Sequence, residues 1–179
     1  MGDIWFKELS EDNWLSRDGE LDGEEPSPQV REEWLVSVRE PRLLDEVPNE
    51  VQRVYEVARG AAAYGYFFSP LMALAERELY RAAEAAIRFK FRELDVTPPG
   101  LKNRKLAKQA SRDPRDFRRM VDFLVARGVI PKDAAQSWSA IAKSWQVVAH
   151  PEDGTLFSLA AVLKSLDRFA ELINGLYEV

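Results

Sequence analysis

The chain contains no cysteine and one histidine. Without thiols there is no disulfide framework and no Cys-His nucleophile pair, and a lone imidazole does not supply the three or four ligands of a zinc site. No apolar run approaches the roughly 18 residues needed to span a bilayer. The N-terminal MGDIWFKELSED is acidic, unlike the basic start of a secretory signal. No segment reads as a strand, and no internal repeat is present. These absences lead us to expect a cytoplasmic all-α protein with no membrane partner, no metal and no cofactor.

Charge is plentiful but unevenly placed. Residues 1–50 hold five Lys/Arg against fifteen Asp/Glu, and residues 51–179 hold twenty against fifteen, so a net charge of -5 conceals an acidic and a basic part. The basic part is concentrated further: residues 88–119 carry eleven Lys/Arg and four acids, among them Arg88, Lys102, Arg104 and Lys105. We therefore expect an acidic N-terminal arm with one short helix over residues 1–47, and a helical bundle over residues 48–179. Trp5, Phe6 and Trp14 are large apolar anchors unusual in a purely solvating tail, so part of the arm is expected to dock.

Proline and glycine punctuate the rest. Ser27-Pro28 is a good helix start and Pro41 a stop; Pro48 opens a second helix, weakened late by Gly60 and Gly65. Its end is crowded by Tyr64, Tyr66, Phe67 and Phe68, for which core packing is the favoured role over base stacking. Ser69-Pro70 begins the longest helix, in which Leu71, Ala75, Leu79, Ala82, Ala86 and Phe89 form one apolar stripe. Arg77, Arg81, Glu84 and Arg88 form a second, polar stripe, either a solvated face with internal charge pairs or a phosphate-contacting ridge. After Thr97-Pro98-Pro99-Gly100 comes a basic loop or short helix, then a helix from Asp113-Pro114 stopped by Gly128. A last helix is expected to start at Asp153-Gly154-Thr155, with Leu159, Val162, Leu166, Phe169, Ile173 and Leu176 facing inward. The expected architecture is an up-and-down bundle of four to six helices.

Residues 131–151 promise to organise this bundle. Ala134, Trp138, Ile141, Trp145 and Val148 recur at steps of four and three, forming a narrow apolar stripe at about 100° per residue. Lys143 and His150 fall within about 20° of each other on the roughly opposite face. A cation and an imidazole on one face make a candidate site for acid/base chemistry or phosphate binding. A helix-end histidine that only complements the helix dipole is the plainer alternative.

From about Leu71 to Tyr177 the order of features resembles the HEPN superfamily of helical nucleotide-binding domains. The matching pieces are the long AERELYRAAEAAIRFKF helix, the DFRRMVDFLVARGVIPKDAAQSW joint, IAKSWQVVAHP and an apolar final helix. The family motif is an arginine, four to six residues, then a histidine, often as Arg-Asn and followed by proline. Here the longest spacer places Lys143 at the arginine position, and the shortest places Trp145 and Gln146 at the Arg-Asn pair. Lysine keeps the charge but lacks the bidentate fork of arginine. The resemblance implies a homodimeric helical bundle and, given the lysine, a catalytically degenerate domain that binds RNA, a nucleotide or a protein partner, in a toxin-antitoxin or defence setting. It also frames an alternative, an active metal-independent endoribonuclease with His150 as general acid or base and Lys143, aided by Arg77 or Arg81, stabilising the phosphate. A third reading is a protein-interaction module without nucleic acid, its acidic arm covering the basic stretch.

Overall fold

The structure, a computed structural model, describes residues 28–68, 70–94, 114–149 and 158–178, with the side chains of 28–31, 114–116 and 145–149 outside that set. Six helices make up the described residues: α1 (Pro28–Arg39), α2 (Asn49–Gly65), α3 (Pro70–Glu93), α4 (Pro114–Ala126), α5 (Lys132–Ala149) and α6 (Leu159–Asn174). The protein is an all-α bundle.

Helix ends follow local chemistry. Proline stands first in α1, α3 and α4, where its missing N–H would be unpaired in any case. At the end of α4, Gly128 adopts a φ of 72°. The Gly128 N–H then reaches Val125 C=O at 3.0 Å and the Val129 N–H reaches Leu124 C=O at 2.9 Å, the two bonds of a Schellman cap. A left-handed residue is needed at that point, and glycine accepts it without Cβ strain. The last helix begins later than Asp153-Gly154-Thr155: α6 starts at Leu159, where the Ser158 side chain accepts the Ala161 N–H at 3.2 Å. Leu159 lies outside the core at 38% exposure, while Val162, Leu166, Phe169, Ile173 and Leu176 are buried.

Small residues set the closest helix pair. Ala58, Ala61, Ala62 and Ala63 of α2 and Ala75, Ala82, Ala83 and Ala86 of α3 are buried, which lets the two backbones approach. Gly65 continues α2 to its end instead of breaking it, and a Cβ there would lie 2.6 Å from Met72 Cε, the end of a flexible side chain. The aromatic crowd serves packing in part: Tyr66 stacks on Trp34 at 6.1 Å and meets Phe67 edge-on at 5.1 Å, whereas Phe68 is 44% exposed.

α1 shares this core, with Trp34 and Val38 buried beside Val47 and Val51. Its C-terminal carbonyls are held by the buried Arg59 of α2, whose Nε donates to Val38 C=O at 3.1 Å and whose Nη2 donates to Arg39 C=O at 2.7 Å. A cation at a helix C-terminus is also favoured by the helix dipole. The segment after α1 is pinned by Asn174, which accepts the Leu44 N–H and donates to Arg42 C=O, both at 2.9 Å.

The organising element is α3 rather than residues 131–151. It packs against α2, α4, α5 and α6. Of the α5 stripe, Trp138 and Ile141 are buried and Ala134 is half-buried, with Ala142 buried beside them, while the side chains of Trp145 and Val148 lie outside the described set. Paired contacts fix the directions. Trp34 bonds Ala63 while Val38 is bonded by Arg59, so α1 and α2 are antiparallel. Gly65 meets Met72, so α2 and α3 form a hairpin. Tyr80 meets Phe169 and Ala86 C=O accepts from Tyr177, in the same order along both segments, so α3 and α6 run parallel.

Candidate functional site

Three groups of polar side chains surround α3. The first is the arginine ridge. Arg77 and Arg81 project from α3, but both lean on one carboxylate: Glu78 lies 2.8 Å from Arg81 Nη1 and 3.6 Å from Arg77 Nε. Arg88 donates through Nε and Nη2 to Glu84 at 2.9 and 2.5 Å, with both side chains mostly buried. The ridge is thus a set of charge pairs internal to the helix, which lowers the positive potential it presents.

The second group lies between α3, α5 and α6. Glu76 is buried, at 5% exposure, with its side chain hydrogen-bonded to that of Ser165. Burial raises its carboxyl above the usual range, and the Ser165 hydrogen bond partly offsets this. One turn on, Tyr80 bonds Ser144 of α5, lies edge-on to Phe169 at 5.0 Å and feels the charges of Glu76 and Arg168. Burial also raises the Tyr80 hydroxyl. Lys143 is exposed on α5, next to Ser144 in sequence. The fold thus brings the neighbourhood of one expected site residue to this seam, while His150, Lys102, Arg104 and Lys105 lie outside the described residues.

The third group sits where the C-terminal turn of α3 meets α4. Phe91 of α3 and Phe123 of α4 pack with ring centroids 5.1 Å apart, tying the two helices together at this end. Cations rest on the surrounding rings: Lys90 Nζ lies 4.7 Å from the Tyr177 centroid, Arg92 5.6 Å from Phe89, and Arg127 5.1 Å from Phe123. Arg119, Phe123 and Arg127 follow one another at steps of four along and just past α4, and Arg118 and Arg119 are exposed. Lys90 also pairs with Glu93 at 3.2 Å. Among the described residues, no carboxylate lies within 4 Å of Arg92 or Arg127. Among the described residues, each guanidinium thus has an aromatic support on one side and no ion-paired carboxylate to occupy its donors.

The basic stretch over residues 88–119 pointed toward this third group through Lys90, Arg92 and Arg119, but Arg127 stands outside it. Its signal was the i,i+4 spacing from Phe123, which seats a long cation over a ring on one helix face. Glu76 was also missed. Met72, Glu76, Leu79, Ala83 and Ile87 recur at helical spacing, so a carboxylate occupies a position in an otherwise apolar stripe, and that substitution was legible. The described residues contain no group of three or more His, Cys, Asp or Glu placed to hold a metal ion. None of the described helices is long and apolar enough to cross a membrane. No protein-family model, curated protein or solved structure matches the chain.

Proposed function

We propose that this chain is a HEPN-like helical domain that binds RNA through its phosphates without cleaving it. The observation that carries the reading is the pair Arg92 and Arg127, supported on aromatic rings and clear of described carboxylates at the junction of α3 and α4. An arginine resting over a ring keeps its fork for a phosphate, and each phosphate contact releases counterions from the nucleic acid. The arginine ridge has a lesser part, because Arg77, Arg81 and Arg88 already share helix-internal carboxylates. On the catalytic side, Lys143 stands where the family motif has arginine, and lysine does not reproduce the bidentate fork.

Fluorescence anisotropy of a labelled single-stranded RNA, titrated across a range of salt, tests this reading. Wild-type affinity should fall steeply with salt, and Arg92→Gln with Arg127→Gln should reduce the slope of log affinity against log salt by roughly one per arginine. Absence of RNA binding at low salt would refute the reading. Incubating the same RNA with wild-type and His150→Ala protein in the presence of chelator tests cleavage: intact RNA is expected with both, and cleavage lost on the substitution would make the chain a ribonuclease.

A further inference from the structure

We infer that the α3–α4 cationic end is covered by residues 3–14 of the same chain, so that the acidic arm competes with the anion that this surface binds. The inference rests on the phosphate-binding reading for its consequence, but not for the contact itself. Two things on the surface match two things in the arm. Lys90, Arg92 and Arg127 rest on the rings of Tyr177, Phe89 and Phe123, of which Phe89 and Phe123 are half-buried. The arm offers Asp3, Glu8, Glu11 and Asp12 interleaved with Trp5, Phe6 and Trp14, a spacing that presents carboxylates and large apolar rings together.

Reach selects which part of the arm docks. α1 begins at the end of the bundle where α2 turns into α3, because Trp34 meets Ala63 and Gly65 meets Met72. The cationic surface lies at the other end of α3, a helix of 24 residues and so about 36 Å long. An extended chain covers at most about 3.4 Å per residue, so roughly eleven residues before Pro28 are needed merely to arrive. Asp22, Glu24 and Glu25 therefore fall short, whereas Trp14 and everything before it can reach. The acids nearest the bundle in sequence are the wrong ones for this contact, and the distant ones are right.

Trypsin reports the contact directly, since Lys7 lies inside the docking segment. In full-length wild-type protein, cleavage after Lys7 should be about tenfold slower at low salt than at about 500 mM, where exposed charges more than a few ångströms apart are screened. Arg92→Gln with Arg127→Gln, or Asp3→Asn with Glu11→Gln and Asp12→Asn, should abolish the low-salt protection. Asp22→Asn with Glu24→Gln and Glu25→Gln should leave it intact. Equal cleavage rates at both salt concentrations, protection lost with the three near acids, or protection that grows with protein concentration would each overturn the inference, the last because it would assign the arm to a second copy. Circular dichroism of the arginine variant confirms that its helices remain formed.

RNA affinity then separates the two readings. The Asp3, Glu11 and Asp12 variant should bind RNA about tenfold more tightly than wild type at low salt. Lys7 protection without any RNA binding by this variant would refute the phosphate-binding reading and leave the contact standing. RNA binding that is unchanged in this variant, with Lys7 open in wild type, would do the reverse.

Discussion

α3 carries arginines of two kinds, and they differ in their partners rather than in residue type or spacing. Arg77, Arg81 and Arg88 spend their charge on Glu78 and Glu84 of the same helix. Arg92, four residues beyond Arg88, rests on Phe89, and Arg127 of the adjoining segment rests on Phe123. An arginine facing a carboxylate has its donors occupied and its charge cancelled; one facing a ring keeps both. A count of basic residues along a helix therefore overstates what that helix offers to a phosphate. Arg59 is an extreme of the first kind, buried in α2 and committed to two carbonyls of α1 and to Glu56.

Substitutions can sharpen this contrast. The largest stability effect is expected at Arg59: Arg59→Leu leaves the Val38 and Arg39 carbonyls without their donor and should cost about 2 kcal/mol in urea denaturation, with no change in the salt slope of RNA binding. Next, in the Asp3→Asn, Glu11→Gln, Asp12→Asn background, where the arm no longer competes, Arg92→Gln with Arg127→Gln should leave the urea midpoint nearly unchanged and weaken RNA binding about tenfold, or about 1.4 kcal/mol. Arg77→Gln with Arg81→Gln should cost about 1 kcal/mol in urea denaturation, because the arginines are about half exposed but the carboxylate they share, Glu78, is buried and loses both cations. The same pair should alter RNA affinity less than the Arg92 and Arg127 pair does. A larger loss from Arg77 and Arg81 would break the contrast.

Glu76 gives a prediction in pH. Its carboxyl is raised in the folded protein by burial, so the folded state favours the protonated form more than the unfolded chain does. The sign follows: ionisation is penalised only in the folded state, so stability falls as pH rises from the unfolded value of 4.5 through the folded one. Below that window the penalty is absent. Glu76→Gln cannot ionise, so the stability of wild type relative to this variant should improve as pH is lowered toward 4.5, read from paired urea melts. A difference that does not vary with pH would show that Glu76 is not held above its ordinary range.

Much of the helical outline was legible because proline and glycine wrote it. Pro28, Pro48, Pro70 and Pro114 mark helix starts to within a residue, and Gly128 closes α4 by the backbone conformation expected of it. The start of α6 was less legible because Asp153, Thr155 and Ser158 are all good caps, and only the last precedes the helix that forms. Gly65 read as a weak point from propensity alone; in the fold it stays helical and sits against the Met72 side chain, which would have to shift to admit a Cβ. The prominence of α3 was hidden by alanine, whose small side chain marks close approach but gives little hydrophobic signal. Site residues were harder, because periodicity shows which face a side chain occupies and not what it meets there. Arg77 and Arg92 look alike in sequence until Glu78 and Phe89 are seen beside them.

The most direct test of the account is the salt dependence of RNA binding by wild-type protein beside the Arg92→Gln, Arg127→Gln variant and the Arg77→Gln, Arg81→Gln variant. We expect the slope of log affinity against log salt to fall by roughly two for the first variant and by clearly less for the second. Equal slopes for wild type and the Arg92, Arg127 variant would contradict the assignment of phosphate binding to the α3–α4 end.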